Sequence, residues 1–182
     1  VTTGSLNVSK KLVNTTPAEV GETFNFKITL DLSTADIYDD AAPWVSDEYL
    51  LGLISGSESL TWTEESGKYT ATFTVDAAET VTINGIARGA TYTVEEILTS
   101  SDLEKFTVTT QIGSEAAKEG ASVSSAVAEK NAVLFTNSVK TTTVETSDLN
   151  ISKHLINTTP AEVSKTFSFK ITLDLSTADA YK

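Results

Sequence analysis

The sequence has no cysteine and no methionine, one histidine (His154), one arginine (Arg88) and three prolines in 182 residues. Without cysteine it has no disulfide framework, no thiol nucleophile, no thiolate metal site and no cysteine thioester. One histidine leaves little room for imidazole acid–base or metal chemistry, and neither a metal nor a cofactor is expected. Lys and Arg number 13 against 25 Asp and Glu, a formal net charge of −12. Phosphate binding needs clustered cations, so nucleic acid is not an expected partner. No apolar run approaches the roughly 18 residues of a membrane span, so no membrane contact is expected either. The first residues lack the charged-then-apolar pattern of a secretory signal, so a secreted form would be a mature fragment. The length does allow a proper core. Stability has to come from packing, or from a cross-link other than cystine.

What the chain does have is a repeat. Leu6–Tyr38 (LNVSKKLVNTTPAEVGETFNFKITLDLSTADIY) returns as Leu149–Tyr181 (LNISKHLINTTPAEVSKTFSFKITLDLSTADAY), with 26 of 33 positions identical and an offset of 143 residues. The changes are mild (Val8/Ile151, Val13/Ile156) or fall where exposure is expected (Lys11/His154, Glu22/Lys165). Residues 1–140 read as a complete repeat and 141–147 as a short polar linker. Residues 148–182 read as the N-terminal part of a second, incomplete repeat. A Thr-rich join without Gly or Pro suggests a semi-stiff connection.

Period-two alternation dominates. It runs through Leu6-x-Val8-x-Lys10-x-Leu12, Phe24 to Leu32, Tyr69 to Val75, Val81-x-Ile83, Tyr92-x-Val94-x-Glu96, Phe106-x-Val108 and Val133-x-Phe135-x-Asn137. Short Thr- and Val-rich strands between turn signals such as Ser66-Gly67 and Asn84-Gly85 indicate an all-β, antiparallel Ig-like sandwich. Two segments are weaker. Ala35–Ser59 suggests a short helix or loop insertion, and Ser114–Lys130, rich in Ala, Ser and Glu, a helical turn or mobile loop.

Three strands break their own pattern. Lys10, Glu96 and Asn137 each occupy the inward parity set by their apolar neighbours. A lone buried Lys or Glu costs several kcal/mol unless it is paired or neutralised, so the three are expected to meet. Burial favours the neutral forms of an amine and a carboxylic acid, and a neutral amine is a nucleophile. The Asn carbonyl is an electrophile, and a carboxylic acid can polarise it and pass a proton to the departing ammonia. The expected product is a Lys–Asn isopeptide cross-link, made once by the folded chain. Lys11 and Glu95 are adjacent but have outward parity. Asn131 shares the parity of Asn137 but sits at the strand entrance.

The stretches LNVSK, TFNFKITL, GIARGATYTVEE and VLFTNSV resemble strands of Cna protein B-type domains, which occur in surface adhesins and major pilin subunits of Gram-positive bacteria. The resemblance spans the whole repeat. By that resemblance Lys10 is the reactive lysine, Glu96 the catalytic acid and Asn137 the reactive asparagine. Lys153 is then the equivalent, unreacted lysine of the second copy. It implies a structural stalk or shaft repeat of an extracellular, cell-wall-anchored adhesin or pilus, stabilised by its own cross-link, and not an enzyme that turns over substrate. The alternative is an adhesive module recognising a host glycan or protein through loops.

The expected partners are neighbouring repeats of the same chain, with host surface ligands engaged through other domains. Strand exchange through residues 148–182 is a further expected association. Acidic Asp36–Asp40 and Asp47-Glu48 read as solvated loop charge, because they lack the spacing of a calcium loop. Trp44, Trp62 and Tyr49 read as loop-anchoring aromatics rather than a sugar platform. Gln111, the only glutamine, is a poor prospect for a Thr–Gln ester.

Overall fold

A computed structural model describes residues 1–15, 22–37, 45–57, 59–140, 147–157, 159 and 166–174. The chain divides into two units, Val1–Lys140 and Thr141–Lys182. Among the described residues of the first, eleven strands form two sheets. In chain order they are β1 (Thr3–Val13), β2 (Thr23–Asp31), β3 (Ser55–Gly56), β4 (Thr63–Glu65), β5 (Lys68–Asp76), β6 (Thr80–Ala87), β7 (Thr91–Glu96), β8 (Phe106–Ile112), β9 (Lys118–Glu119), β10 (Ser122–Ala126) and β11 (Lys130–Val139). Two short helices, α1 (Asp47–Gly52) and α2 (Ser100–Lys105), lie in the connections. One sheet has the order β3-β6-β1-β11-β8-β9 and the other β10-β7-β2-β5-β4.

The alternation produces this sandwich directly. Leu6 and Val8 of β1, Phe26, Ile28 and Leu30 of β2, Tyr92 and Val94 of β7, and Val133 and Phe135 of β11 are all fully or almost fully buried. Between them, residues such as Ser9, Lys27, Thr93 and Glu95 carry hydroxyls and charges that are partly or fully exposed. Among the described residues all strand pairs are antiparallel except one. β1 and β11 run parallel, with Val8 opposite Val133, Lys10 opposite Phe135 and Leu12 opposite Asn137. The first and last strands of the unit are therefore neighbours in one sheet.

Ser66-Gly67 forms the two-residue turn its composition indicates, both residues taking positive φ (54° and 76°) between β4 and β5, as a type I′ hairpin requires. Asn84-Gly85 does not make a turn. Gly85 is the extra residue of a bulge within β6, where Gly4 pairs with Ile86 and Ser5 with Asn84. Its φ of +77° and the 1.9 Å that would separate an added Cβ from the Leu53 carbonyl oxygen explain why glycine stands there.

The helix expected in Ala35–Ser59 is α1. Ser46 caps it by accepting from Tyr49 N–H, Asp47 and Glu48 occupy its positive end, and Leu50 is driven into the core. The segment Ser114–Lys130 is not helical; it supplies β9 and β10. β10 pairs with β7 alone, and only its alternate residues Val123 and Ser125 are partly covered. An edge strand with one thin apolar position carries little periodic signal.

In the second unit the described residues contain no strand, unlike their counterparts in β1 and β2. The reason is physical. Two strand sequences without flanking partners cannot satisfy their backbone or bury a face. Leu149, Ile151, Phe167, Phe169, Ile171 and Leu173 are all exposed.

Candidate functional site: a buried lysine, glutamate and asparagine

The three pattern-breaking residues lie together between the sheets. β1 contributes Lys10 (2% exposed) and β11 contributes Asn137 (0%) from one sheet, while β7 contributes Glu96 (3%) from the other. Lys10 Nζ donates to Glu96 Oε1 at 2.7 Å. Asn137 Nδ2 donates to the same oxygen at 2.6 Å. One carboxylate oxygen therefore touches both nitrogens. Among the described residues, Glu96 Oε2 and Asn137 Oδ1 are buried without a hydrogen-bond partner.

Aromatic rings close the site. The Phe24 ring centroid is 4.1 Å from Lys10 Nζ and that of Phe26 is 5.9 Å away. Phe24 packs edge-on against Phe106, and Phe26 against Phe135 with centroids 5.0 Å apart. In this dry setting burial pushes the Lys10 ammonium down to about 8, opposed by the hydrogen bond and charge of Glu96 and, more weakly, by the charge of Asp102. Asp102 belongs to α2, which begins just beyond β7. Its carboxyl is held below the usual carboxylate range by the Thr99 hydroxyl and backbone N–H, within a reciprocal capping box.

Asp102 and Phe24 were not identified as site residues from sequence. Thr99-x-x-Asp102 marks a helix start, and Phe24 reads as an ordinary core position. Neither signal points to a lysine in another strand.

The other candidates lie elsewhere. Lys11 and Glu95 face solvent. Asn131 donates to the Ser5 and Ala128 carbonyls and accepts from Ala128 N–H, fastening the turn before β11 to β1. Gln111 donates to the Gly113 carbonyl. Asp47 accepts from the Tyr69 hydroxyl, Trp62 packs half-buried on the core and Tyr49 is exposed. Asp39, Asp40 and Trp44 lie outside the described residues. Lys153 is exposed, with its Nζ 5.3 Å from the Phe167 ring.

The family model described as a domain of unknown function (DUF7601) matches residues 4–139, the whole sandwich. The chain belongs to the DUF7601 family. No curated protein matches it. Among solved structures, this DUF7601 chain is similar to a pilus-presented adhesin (Cpa), with 22% identity and a TM-score of 0.47, over 75% of this chain and 27% of that one. It is similar to the major pilin protein (T-13) from Streptococcus pyogenes, with 16% identity and a TM-score of 0.44, over 76% and 45% of the two chains. It is also similar to an adhesin from Mobiluncus mulieris that contains intramolecular disulfide, isopeptide and ester bond cross-links, with 14% identity and a TM-score of 0.47, over 76% and 42%. The chain spans less than half the length of each of these structures.

Proposed function

We propose that the DUF7601 unit is a load-bearing shaft module of a Gram-positive surface adhesin or pilus, and that its one chemical act is to join Lys10 to Asn137. The observation that carries this reading is the shared contact of Glu96 Oε1 with the lysine nitrogen and the asparagine amide nitrogen inside a closed apolar site. The resemblance of its strands to Cna protein B-type domains supports the same reading.

The chemistry balances without any co-reactant. The ammonium proton passes from Lys10 Nζ to Glu96 Oε1, leaving a neutral amine and a carboxylic acid. The amine attacks Asn137 Cγ, and the acid delivers its proton to Nδ2 as the C–N bond breaks. The surplus proton on Nζ then passes through the Glu96 carboxylate to the departing ammonia, which leaves as ammonium, and an Nζ–Cγ amide remains. Glu96 ends as it began. Its position beside both nitrogens lets one group act first as base and then as acid, and exclusion of water protects the intermediate. The reaction happens once per molecule, and the chain is its own substrate.

A link from residue 10 to residue 137 closes a loop of 127 residues (137 − 10). Chain-entropy bookkeeping assigns such a loop about 5 kcal/mol. An amide supplies this in a chain that has no cysteine, and reductants do not open it.

Intact mass decides the matter. The folded wild-type chain is expected to weigh one ammonia less than its sequence, with a branched Lys10–Asn137 peptide after proteolysis. A wild-type chain of full sequence mass overturns the reading.

A further inference from the structure

The second unit carries nearly the same two strand sequences as β1 and β2, with the opposite exposure. Leu6, Val8, Phe26, Ile28 and Leu30 are fully buried, whereas Leu149, Ile151, Phe169, Ile171 and Leu173 are between 49% and 73% exposed. Across 149–155 and 166–174 only three positions differ from 6–12 and 23–31. Two of the originals, Lys11 and Asn25, face water. The third change, Val8 to Ile151, enlarges one buried side chain by a methylene. Within these two stretches every other buried position is retained, including the lysine, while Gly4 of β1, ahead of them, corresponds to Ser147. Lys153 Nζ already lies over the Phe167 ring as Lys10 Nζ lies over Phe24.

We infer that residues 149–155 and 166–174 are a replacement for β1 and β2, and enter the β1–β2 slot of a second copy of this chain whenever that copy's own β1 is not covalently locked. In the slot, the first segment lies between β6 and β11, and the second between β5 and β7. Lys153 then meets the Glu96 carboxylate and Asn137 of the other molecule, a match of charge as well as shape. The inference rests on the cross-link reading only for its covalent step.

Topology selects a second copy over the same molecule. A strand occupying the β1 slot runs parallel to β11. A parallel connection needs a crossover of about a dozen residues or more, and residues 140–148 between the end of β11 and Leu149 fall short of that. Once Lys10 is joined to Asn137 the slot is closed for good, so the cross-link also acts as a guard against exchange between near-identical repeats. Because the donor and acceptor surfaces of one chain differ, exchange is head-to-tail and open-ended.

The full 182-residue chain carrying Lys10→Ala tests this. Denaturing gels and intact mass are expected to show covalent dimers and longer species, whose share grows with protein concentration. Each link should lack one ammonia and give a Lys153–Asn137 peptide. Adding Lys153→Ala abolishes the ladder. Asn137→Ala, which keeps the Lys10–Glu96 pair and so guards against misfolding, is expected to associate without covalent links by light scattering, and Phe169→Asp to reverse that. Monomers of full sequence mass for Lys10→Ala, together with monomeric Asn137→Ala, overturn the inference. So does a Lys153–Asn137 link found within single molecules. Self-association through 149–174 in a wild-type chain of full mass retains exchange and removes the cross-link reading instead.

Discussion

Lys10 and Glu96 meet across the sandwich at 2.7 Å, with neither side chain exposed to solvent. A buried ion pair of this kind is poor evidence for stability, because desolvating two charges offsets much of their attraction and well-packed apolar residues often do as well. The pair makes better sense as a reactive arrangement, with the acceptor amide on the same carboxylate oxygen. Glu96→Gln keeps the size of the side chain and removes its capacity to take and return a proton. It is expected to leave the chain at full sequence mass. It should also lower stability by about 3–5 kcal/mol for the orphaned lysine, beyond the roughly 5 kcal/mol lost with the cross-link. Intact mass and urea unfolding measure both, and a Glu96→Gln chain still lacking one ammonia contradicts the role given to Glu96.

Lys10 gives a pH signature where no bond can form and no strand exchanges, as in Asn137→Ala combined with Phe169→Asp. Its folded value of about 8 lies below the ordinary 10.5 of the unfolded chain. Between those values the unfolded state holds a proton that the folded state has released, so stability rises with pH across that window. At about 1.4 kcal/mol per pH unit, the gain by the top of the window is about 3 kcal/mol at most. Below pH 8 the lysine contributes no slope. Urea midpoints at several pH values check this, and a midpoint that falls between pH 8 and 10 contradicts it.

Much of this site is legible in the sequence, and the reason lies in strand periodicity. Leu6, Val8 and Lys10 share one face of β1 regardless of what that strand pairs with, and the same holds for Glu96 in β7 and Asn137 in β11. Local alternation says which way a side chain points. It does not say which strands adjoin, so the parallel β1–β11 pairing was not apparent. Gly85 shows the same limit. Asn-Gly suits a turn, and only pairing with β1 and contact with Leu53 make it a bulge. β10 was missed because an edge strand of Ser and Ala has almost no apolar rhythm to read. Phe24 was legible as core but not as the ring over the lysine, since that contact joins β1 to β2 through tertiary packing.

Gly85 supplies a test of the frame rather than the chemistry. An alanine there needs a positive φ and sets its Cβ on the Leu53 carbonyl oxygen, so both the bulge and the chain after α1 must shift. Gly85→Ala is expected to cost about 2 kcal/mol or more. By contrast Gly67→Ala, whose added Cβ meets nothing within 4 Å, should incur only the strain of its positive φ. Chemical denaturation of the two variants compares them, and equal losses contradict the packing argument.

The proposed Lys10–Asn137 cross-link would have its largest consequence under tension. β1 and β11 are parallel neighbours, so a pull on the two ends of residues 1–140 enters β1 at its start and leaves β11 at its end, loading their contact in shear. Without a bond, that contact is a ladder of hydrogen bonds and packed side chains, and once it fails the whole unit unravels. With Lys10 joined to Asn137, force passes along residues 1–10, through the amide, and out along 137–140, and the residues between them carry no load. Single-molecule pulling on the wild-type unit is therefore expected to show no unfolding step from this segment. In Asn137→Ala the 127 residues from 10 to 137 become extensible. At about 3.6 Å per residue they should release about 450 Å of contour length, less the distance already spanned in the fold. A wild-type unit that releases the same length would show that force does not travel through a covalent link between these two strands.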